Sequence, residues 1–236
     1  MIDDLLKSVE GLRSDAQDIR RKARKEASPQ ERERLFTEAV AGFGEAIAKL
    51  ERGLRTVRRK DPEYDMDVCR ILEALSQSYG SLGGTWRDCG EHLRARQQYD
   101  EGFKIEEERR IHCGAKDTYN MLQRLIVRLL IDPKLITDTE FLSELNTVRE
   151  EIERQVNDGR DDSWALADLA LSRFLCGIEA DTAISDLERR KVEGTFYESA
   201  HNALAALVAE GLGKGEALGD RLEAFKKMLQ RRGGLP

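Results

Sequence analysis

The chain has 236 residues, with 39 Lys and Arg against 45 Asp and Glu, a formal net charge of −6, 36% charged residues, 40% hydrophobic residues and few aromatics. That mixture is enough for a substantial core, suits amphipathic helices with solvated outer faces, and gives no ground for a general electrostatic affinity for nucleic acid or anionic membranes. No window approaches the roughly 18 to 20 uninterrupted apolar residues that span a bilayer, and the opening Met1-Ile2-Asp3-Asp4 lacks the apolar stretch of a signal peptide. A cytoplasmic location, no membrane partner and reduced thiols at Cys69, Cys89, Cys113 and Cys176 are therefore expected.

In chain order, Ile2, Leu5, Leu6, Val9, Leu12, Ala16, Ile19 and Ala23 step by three and four, predicting a helix that ends before Ser28-Pro29. Leu35, Phe36, Ala39, Val40, Phe43, Ile47, Leu50, Leu54 and Val57 carry the same period through a long second helix that Asp61-Pro62 should close. A third helix begins near Tyr64 or Met66, bears Cys69, Leu72, Leu75 and Tyr79, and is expected to break at Gly83-Gly84. A fourth starts near Cys89 and runs towards Ile111. Tyr119, Leu122, Leu125, Ile126, Leu129 and Leu130 mark the most apolar helix, stopped by Asp132-Pro133. Thr139 is the expected cap of a sixth helix through Val156, ended by Asn157-Asp158-Gly159, and Ser163 that of a seventh lined by Trp164, Ala167, Leu171 and Phe174. Gly177 turns the chain into a short eighth helix, and two more follow around Phe196 to Leu207 and Leu218 to Leu229. No strand-like alternation is present. The fold class is all-α, with about ten helices paired into antiparallel hairpins at roughly 1–60, 63–113, 116–158, 162–192 and 195–232.

Two segments share one chemical outline. Ala39, Phe43 and Ala46 repeat as Ala95, Tyr99 and Gly102: small, three residues, aromatic, two residues, small. On a helix this puts two small residues and a ring on one stripe, so a neighbouring helix can approach closely while the ring fills the gap beside it. Upstream of the second copy, Leu72, Ala74, Leu75 and Tyr79 follow the spacing of the first helix of a tetratricopeptide (TPR) unit, and Trp164, Ala167, Leu171, Gly177 and Ala183 resemble another. The second unit departs where Leu187 and Arg190 replace the aromatic and the second small residue. The distance from Tyr79 to Ala95 is also several residues too long, which an insertion at Gly83 to Asp88 would explain. A second, slighter likeness links Trp164-Ala165-Leu166-Ala167-Asp168-Leu169-Ala170-Leu171 and Phe196-Tyr197-Glu198-Ser199 to the TPR-like TRAFs-binding regions of stress-signalling kinases.

The TPR resemblance implies a single helical-repeat domain over 1–236, stacked as a solenoid, with a compact non-superhelical bundle as the alternative packing of the same hairpins. It implies a non-enzymatic scaffold, adaptor or regulatory subunit that grips a protein or peptide along the first helices of its hairpins. Residues off the packing stripe are then the contact candidates: Arg70, Glu73 and Gln77, with Asn120, Gln123, Ser172 and Arg173 by looser alignment. The alternative for each is a solvated helix face. Trp86, in the expected inserted turn, either covers a hairpin junction or anchors a partner.

The alternative function is association with nucleic acid through two basic runs, Arg20, Arg21, Lys22, Arg24 and Lys25, then Arg52, Arg55, Arg58, Arg59 and Lys60, which a hairpin could bring together. Cations at helix C-termini also need no partner, because they meet the negative end of the macrodipole. Catalytic signals are poor and no cofactor is implied. His92 and His112 lie about 30 Å apart on a continuous helix, too far to share a zinc ion. No local signature marks a cysteine nucleophile. Glu106-Glu107-Glu108 and Asp161-Asp162 are acidic clusters that either hold a cation or lie solvated on an exposed helix or at a helix start, and Gly83-Gly84, Gly211, Gly213 and Gly215 lack the setting of a phosphate loop.

Overall fold

The computed structural model describes residues 2–60, 66–115, 117–158, 163–190, 194–212 and 216–234, among which all regular structure is helical. Ten α-helices follow in order: α1 (Ile2–Lys25), α2 (Pro29–Lys60), α3 (Met66–Asp88), α4 (His92–Cys113), α5 (Tyr119–Ile131), α6 (Thr139–Asn157), α7 (Ser163–Leu175), α8 (Ala180–Arg189), α9 (Gly194–Ala209) and α10 (Glu216–Gly233). A 3₁₀ turn at Pro133–Thr137 joins α5 to α6. Asp61, Pro62, Tyr64, Gly159, Asp161, Asp162, Gly213 and Gly215 lie outside the described residues, as do the side chains of Arg59, Lys60, Ser163, Phe196, Glu198 and Ser199, and with Ser163 the expected cap of the seventh helix.

Local chemistry accounts for most of the helix ends. Asp3 and Asp4 occupy the first turn of α1 and Lys22, Arg24 and Lys25 its last, each sign opposing the nearer end of the macrodipole. The Ser28 hydroxyl accepts the Glu31 N–H, with Pro29 in the first helical position of α2. Asp138, rather than the expected Thr139, caps α6: its carboxylate accepts the Phe141 N–H at 2.7 Å. A carboxylate one residue earlier is in reach of the free donors of the first turn and also favours the helix dipole.

Gly83-Gly84 does not break α3. The helix continues to Asp88 and stops at Gly90, which has φ +78°, with Glu91 N–H donating to Trp86 O and Gly90 N–H to Arg87 O. This double-bonded ending needs a left-handed residue just past the helix, and glycine takes that conformation without strain. Gly177, at φ +91°, closes α7 with the same pair of bonds and turns the chain as expected.

The chain divides into two compact units, Met1–Met121 and Leu122–Pro236. In the first, α1 and α2 form an antiparallel hairpin in which Leu5 lies over Gly53 and Ala16 over Gly42. Helix α3 packs on both. Arg70 near the start of α3 pairs with Asp3 near the start of α1, and Asp88 at the end of α3 pairs with Arg20 and Arg24, so α1 and α3 run in the same direction. Phe43, Leu50, Ile71, Leu72 and Leu75 form a fully buried core, and Tyr99 is fully buried on α4. The small residues of both recurring stripes, Ala39, Ala46, Ala95 and Gly102, are buried with their rings.

In the second unit α7 is the central helix, touching α6, α8 and α9, while α9 pairs with α10. Phe174 of α7 stacks on Phe225 of α10, with ring centroids 4.2 Å apart, and Leu187, Leu204, Leu207, Leu222 and Leu229 complete the apolar layer. Arg124 and Arg128 both bind Glu144, tying the α5 portion of this unit to α6, and the Arg128 guanidinium also lies over the Phe141 ring. Ala167, Leu171 and Phe174 are buried as expected on α7, but Trp164 does not line it: it is 54% exposed, and Ala165, Leu166 and Leu169 are buried besides.

Candidate functional site: the polar seam between α3 and α4

Helices α3 and α4 meet along a strictly kept antiparallel register. Gly83 faces Tyr99, Gly80 and Gly102 share Asn120 as their neighbour, Ser76 meets Glu106, Glu73 meets Arg109, and Cys69 is joined to Cys113. The half nearer the α3–α4 turn is apolar and very close. A Cβ on Gly83 would lie 2.9–3.0 Å from the Tyr99 ring and one on Gly84 2.6 Å from the Arg20 guanidinium, so the glycine pair serves close approach within the helix. The Tyr99 ring also makes an edge contact with Tyr119.

The other half is polar. Glu106 is 2% exposed, and its carboxylate accepts the Asn120 N–H at 2.9 Å, the Met121 N–H at 3.1 Å and Asn120 Nδ2 at 2.8 Å, with the Ser76 hydroxyl at 3.4 Å. Asn120 Nδ2 also donates to Ser76. A side chain of α4 thus caps the N-terminus of α5, where free N–H groups and the positive dipole end favour a carboxylate. Burial pushes the Glu106 carboxyl above the usual carboxylate range, against the pull of these donors. The expectation that Glu106 belongs to a solvated acidic cluster is corrected: it follows Ala95, Tyr99 and Gly102 on the buried stripe, whereas Glu107 is exposed.

Arg109, also buried, binds Asp117 and reaches Glu73 at 3.4 Å. Gly114, with φ +63°, then ends α4 as its N–H returns to Arg109 O. The Cys69–Cys113 disulfide closes this end, correcting the expectation of four reduced thiols. Cys89 and Cys176 are free. Burial, together with Asp88 and Glu91, pushes the Cys89 thiol up to about 11, and burial raises Cys176 despite the nearby Arg149. Neither has the lowered pKa of an activated nucleophile.

The expected contact residues divide by exposure. Arg70, Glu73 and Gln77 lie exposed on α3, where Arg70 pairs with Asp3 and Asp67 and Gln77 donates to Glu73. Burial lowers the pKa of Arg13 on α1, against the opposing pull of Glu10 and Glu73. Trp86 is on the last turn of α3, not in an inserted loop; it is half-buried against the first unit's core, with the Arg94 guanidinium 4.7 Å from its ring. Asn120 is buried in the Glu106 network. In the second unit Gln123 and Ser172 are buried, and Arg173 is half-buried and paired with Glu153.

The two basic runs do not form one patch. The first lies at the C-terminal end of α1, whereas Gly53 in the second lies beside Leu5, which is 17 residues, or about 25 Å of helix, from Lys22. The hairpin expected to bring the two runs together keeps them apart, because its helices are antiparallel. Arg20 and Arg24 are bound to Asp88, Arg21 to Asp18 and Arg58 to Glu108.

Among the described residues no group of three or more His, Cys, Asp and Glu side chains is placed to hold a metal ion, and no helix is long and apolar enough to cross a membrane. The fold and seam define an all-α protein of paired helices. Comparison with known proteins finds no matching family model, no similar curated protein and no similar solved structure.

Proposed function

We propose that the chain is a non-enzymatic protein-interaction module, an adaptor or regulatory subunit that holds a protein or peptide segment across the parallel α1–α3 face of its first unit. The observation that carries this reading is the position of the two recurring stripes. Phe43 and Tyr99, with their small flanking residues, are buried on α2 and α4, the second helices of consecutive hairpins. The first helices, α1 and α3, lie side by side and point the same way, which is how a TPR-like array offers a face to a ligand. On that face Arg70, Glu73 and Gln77 recur at steps of three and four. Mixed charges and an amide suit the backbone and polar side chains of an extended segment better than a single strongly charged ligand.

The test is affinity capture with mass spectrometry using wild-type chain and the variants Arg70→Glu and Gln77→Arg, with folding followed by circular dichroism. A specific protein should be enriched by the wild type and lost at least about tenfold from either folded variant, the scale of one interface charge reversal. Recovery of abundant background proteins alone, or of a partner insensitive to both changes, rejects the reading.

A further inference from the structure

We propose that the Cys69–Cys113 disulfide is a redox latch holding the C-terminal half of α4, and with it the carboxylate that caps α5, against α3. The inward stripe of α4 is Ala95, Tyr99, Gly102, Glu106, Arg109 and Cys113, in steps of four and three throughout. Its first three members are apolar and dry. Its last three meet Ser76, Glu73 and Cys69, so along this stripe the outer half of the helix pair is polar, and its apolar contact is left to residues beside the stripe. Ile105 is only partly buried there and Ile111 is 74% exposed. Ion pairs and buried polar groups add little net adhesion, because desolvation offsets most of their attraction. The covalent link stands where the apolar anchor on α4 is reduced to one partly buried isoleucine.

Both cysteines are half-buried and within reach of a small dithiol. One thiolate of the reductant attacks either sulfur, the S–S bond breaks, and the reductant's second thiol resolves the mixed disulfide. Cys69 and Cys113 end as two thiols, having gained two electrons and two protons, and the reductant leaves as its cyclic disulfide. The α4 segment from Ile105 to Cys113 then depends on non-covalent contacts, the partly buried Ile105, the Glu106 and Arg109 networks and the Arg58–Glu108 and Arg110–Asp117 contacts, and loosening it withdraws the cap from Asn120 and Met121. Arg109 also touches Glu73, so the same event alters the exposed face of α3. The inference concerns the order of α4 and α5 and does not rest on the proposed binding role.

Hydrogen exchange followed by mass spectrometry on the full chain tests it, comparing the oxidised protein, the protein in excess dithiothreitol, and the Cys69→Ser/Cys113→Ser double variant. Reduction should speed exchange at least about tenfold in peptides covering 105–113 and 119–121, change peptides covering 93–102 less than about twofold, and be reversed by re-oxidation. The double variant should match the reduced protein; if it does not fold, the reduction arm alone decides. Equal acceleration in both halves of α4, or none, overturns the latch. So does alkylation mapping that finds Cys69 and Cys113 free after treatment with oxidised glutathione.

Discussion

The Glu106 carboxylate of α4 receives the backbone N–H of Asn120 at 2.9 Å, so the first turn of one helix is completed by a side chain of another. Three further donors converge on the same group. Removing it in Glu106→Ala strands two buried backbone N–H groups and leaves the Asn120 amide only its Ser76 acceptors, and should cost about 3–5 kcal/mol in urea unfolding. Glu106→Gln keeps one carbonyl oxygen but turns an NH₂ towards the Met121 N–H, and should cost about 1–2 kcal/mol. A Glu106→Ala variant within about 1 kcal/mol of the wild type would show that the cap contributes nothing to stability.

Gly83 and Gly44 are both helical glycines, yet replacement by alanine should act with opposite sign. Nothing lies within 4 Å of a Cβ on Gly44, so Gly44→Ala should gain about 0.5–1 kcal/mol from the lower backbone entropy of the unfolded chain. At Gly83 the same methyl would meet the buried Tyr99 ring at 2.9–3.0 Å, and that ring has no room to retreat. Gly83→Ala should lose about 1–3 kcal/mol through overpacking. Thermal unfolding of the two variants checks the pair.

Tyr99 is fully buried, and its hydroxyl has no hydrogen-bond partner among the described residues. An unmade bond costs the desolvation of the group, so Tyr99→Phe should leave stability unchanged or raise it by about 1 kcal/mol. A loss of more than about 1 kcal/mol would mean that the hydroxyl is bonded after all.

Asp88 is a half-buried carboxylate that contributes to the acid response of the first unit. Burial alone would raise its carboxyl, but Arg20 and Arg24 outweigh that and hold it below the ordinary value of 3.8. A depressed folded-state pKa gives stability that is present above the unfolded value and lost as pH falls through the folded one, so this contribution should disappear below about pH 4. Asp88→Asn leaves the buried Arg20 without its counter-charge, and should cost about 2–4 kcal/mol at pH 7 while making unfolding less sensitive to pH between about 2 and 4. An acid limb as steep as that of the wild type would assign the response to other carboxylates.

Helix content and most helix ends are properties of the sequence alone, because periodicity, caps, prolines and the Gly177 turn act over a few residues and need no partner. The stripes around Phe43 and Tyr99 were legible for the same reason, since steps of four and three define a face whatever lies opposite. What lies opposite was settled only in three dimensions. Gly83-Gly84 looks like a break until the Tyr99 ring and the Arg20 guanidinium occupy the space its missing side chains leave, and Glu106 looks solvated until the N-terminus of α5 arrives to bind it. A buried charge is tolerable only when another element brings donors to it, and an isolated helix carries no record of which element that will be. The same limit applies to Cys69 and Cys113, 44 residues apart, and to the basic runs that antiparallel pairing keeps at opposite ends of one hairpin.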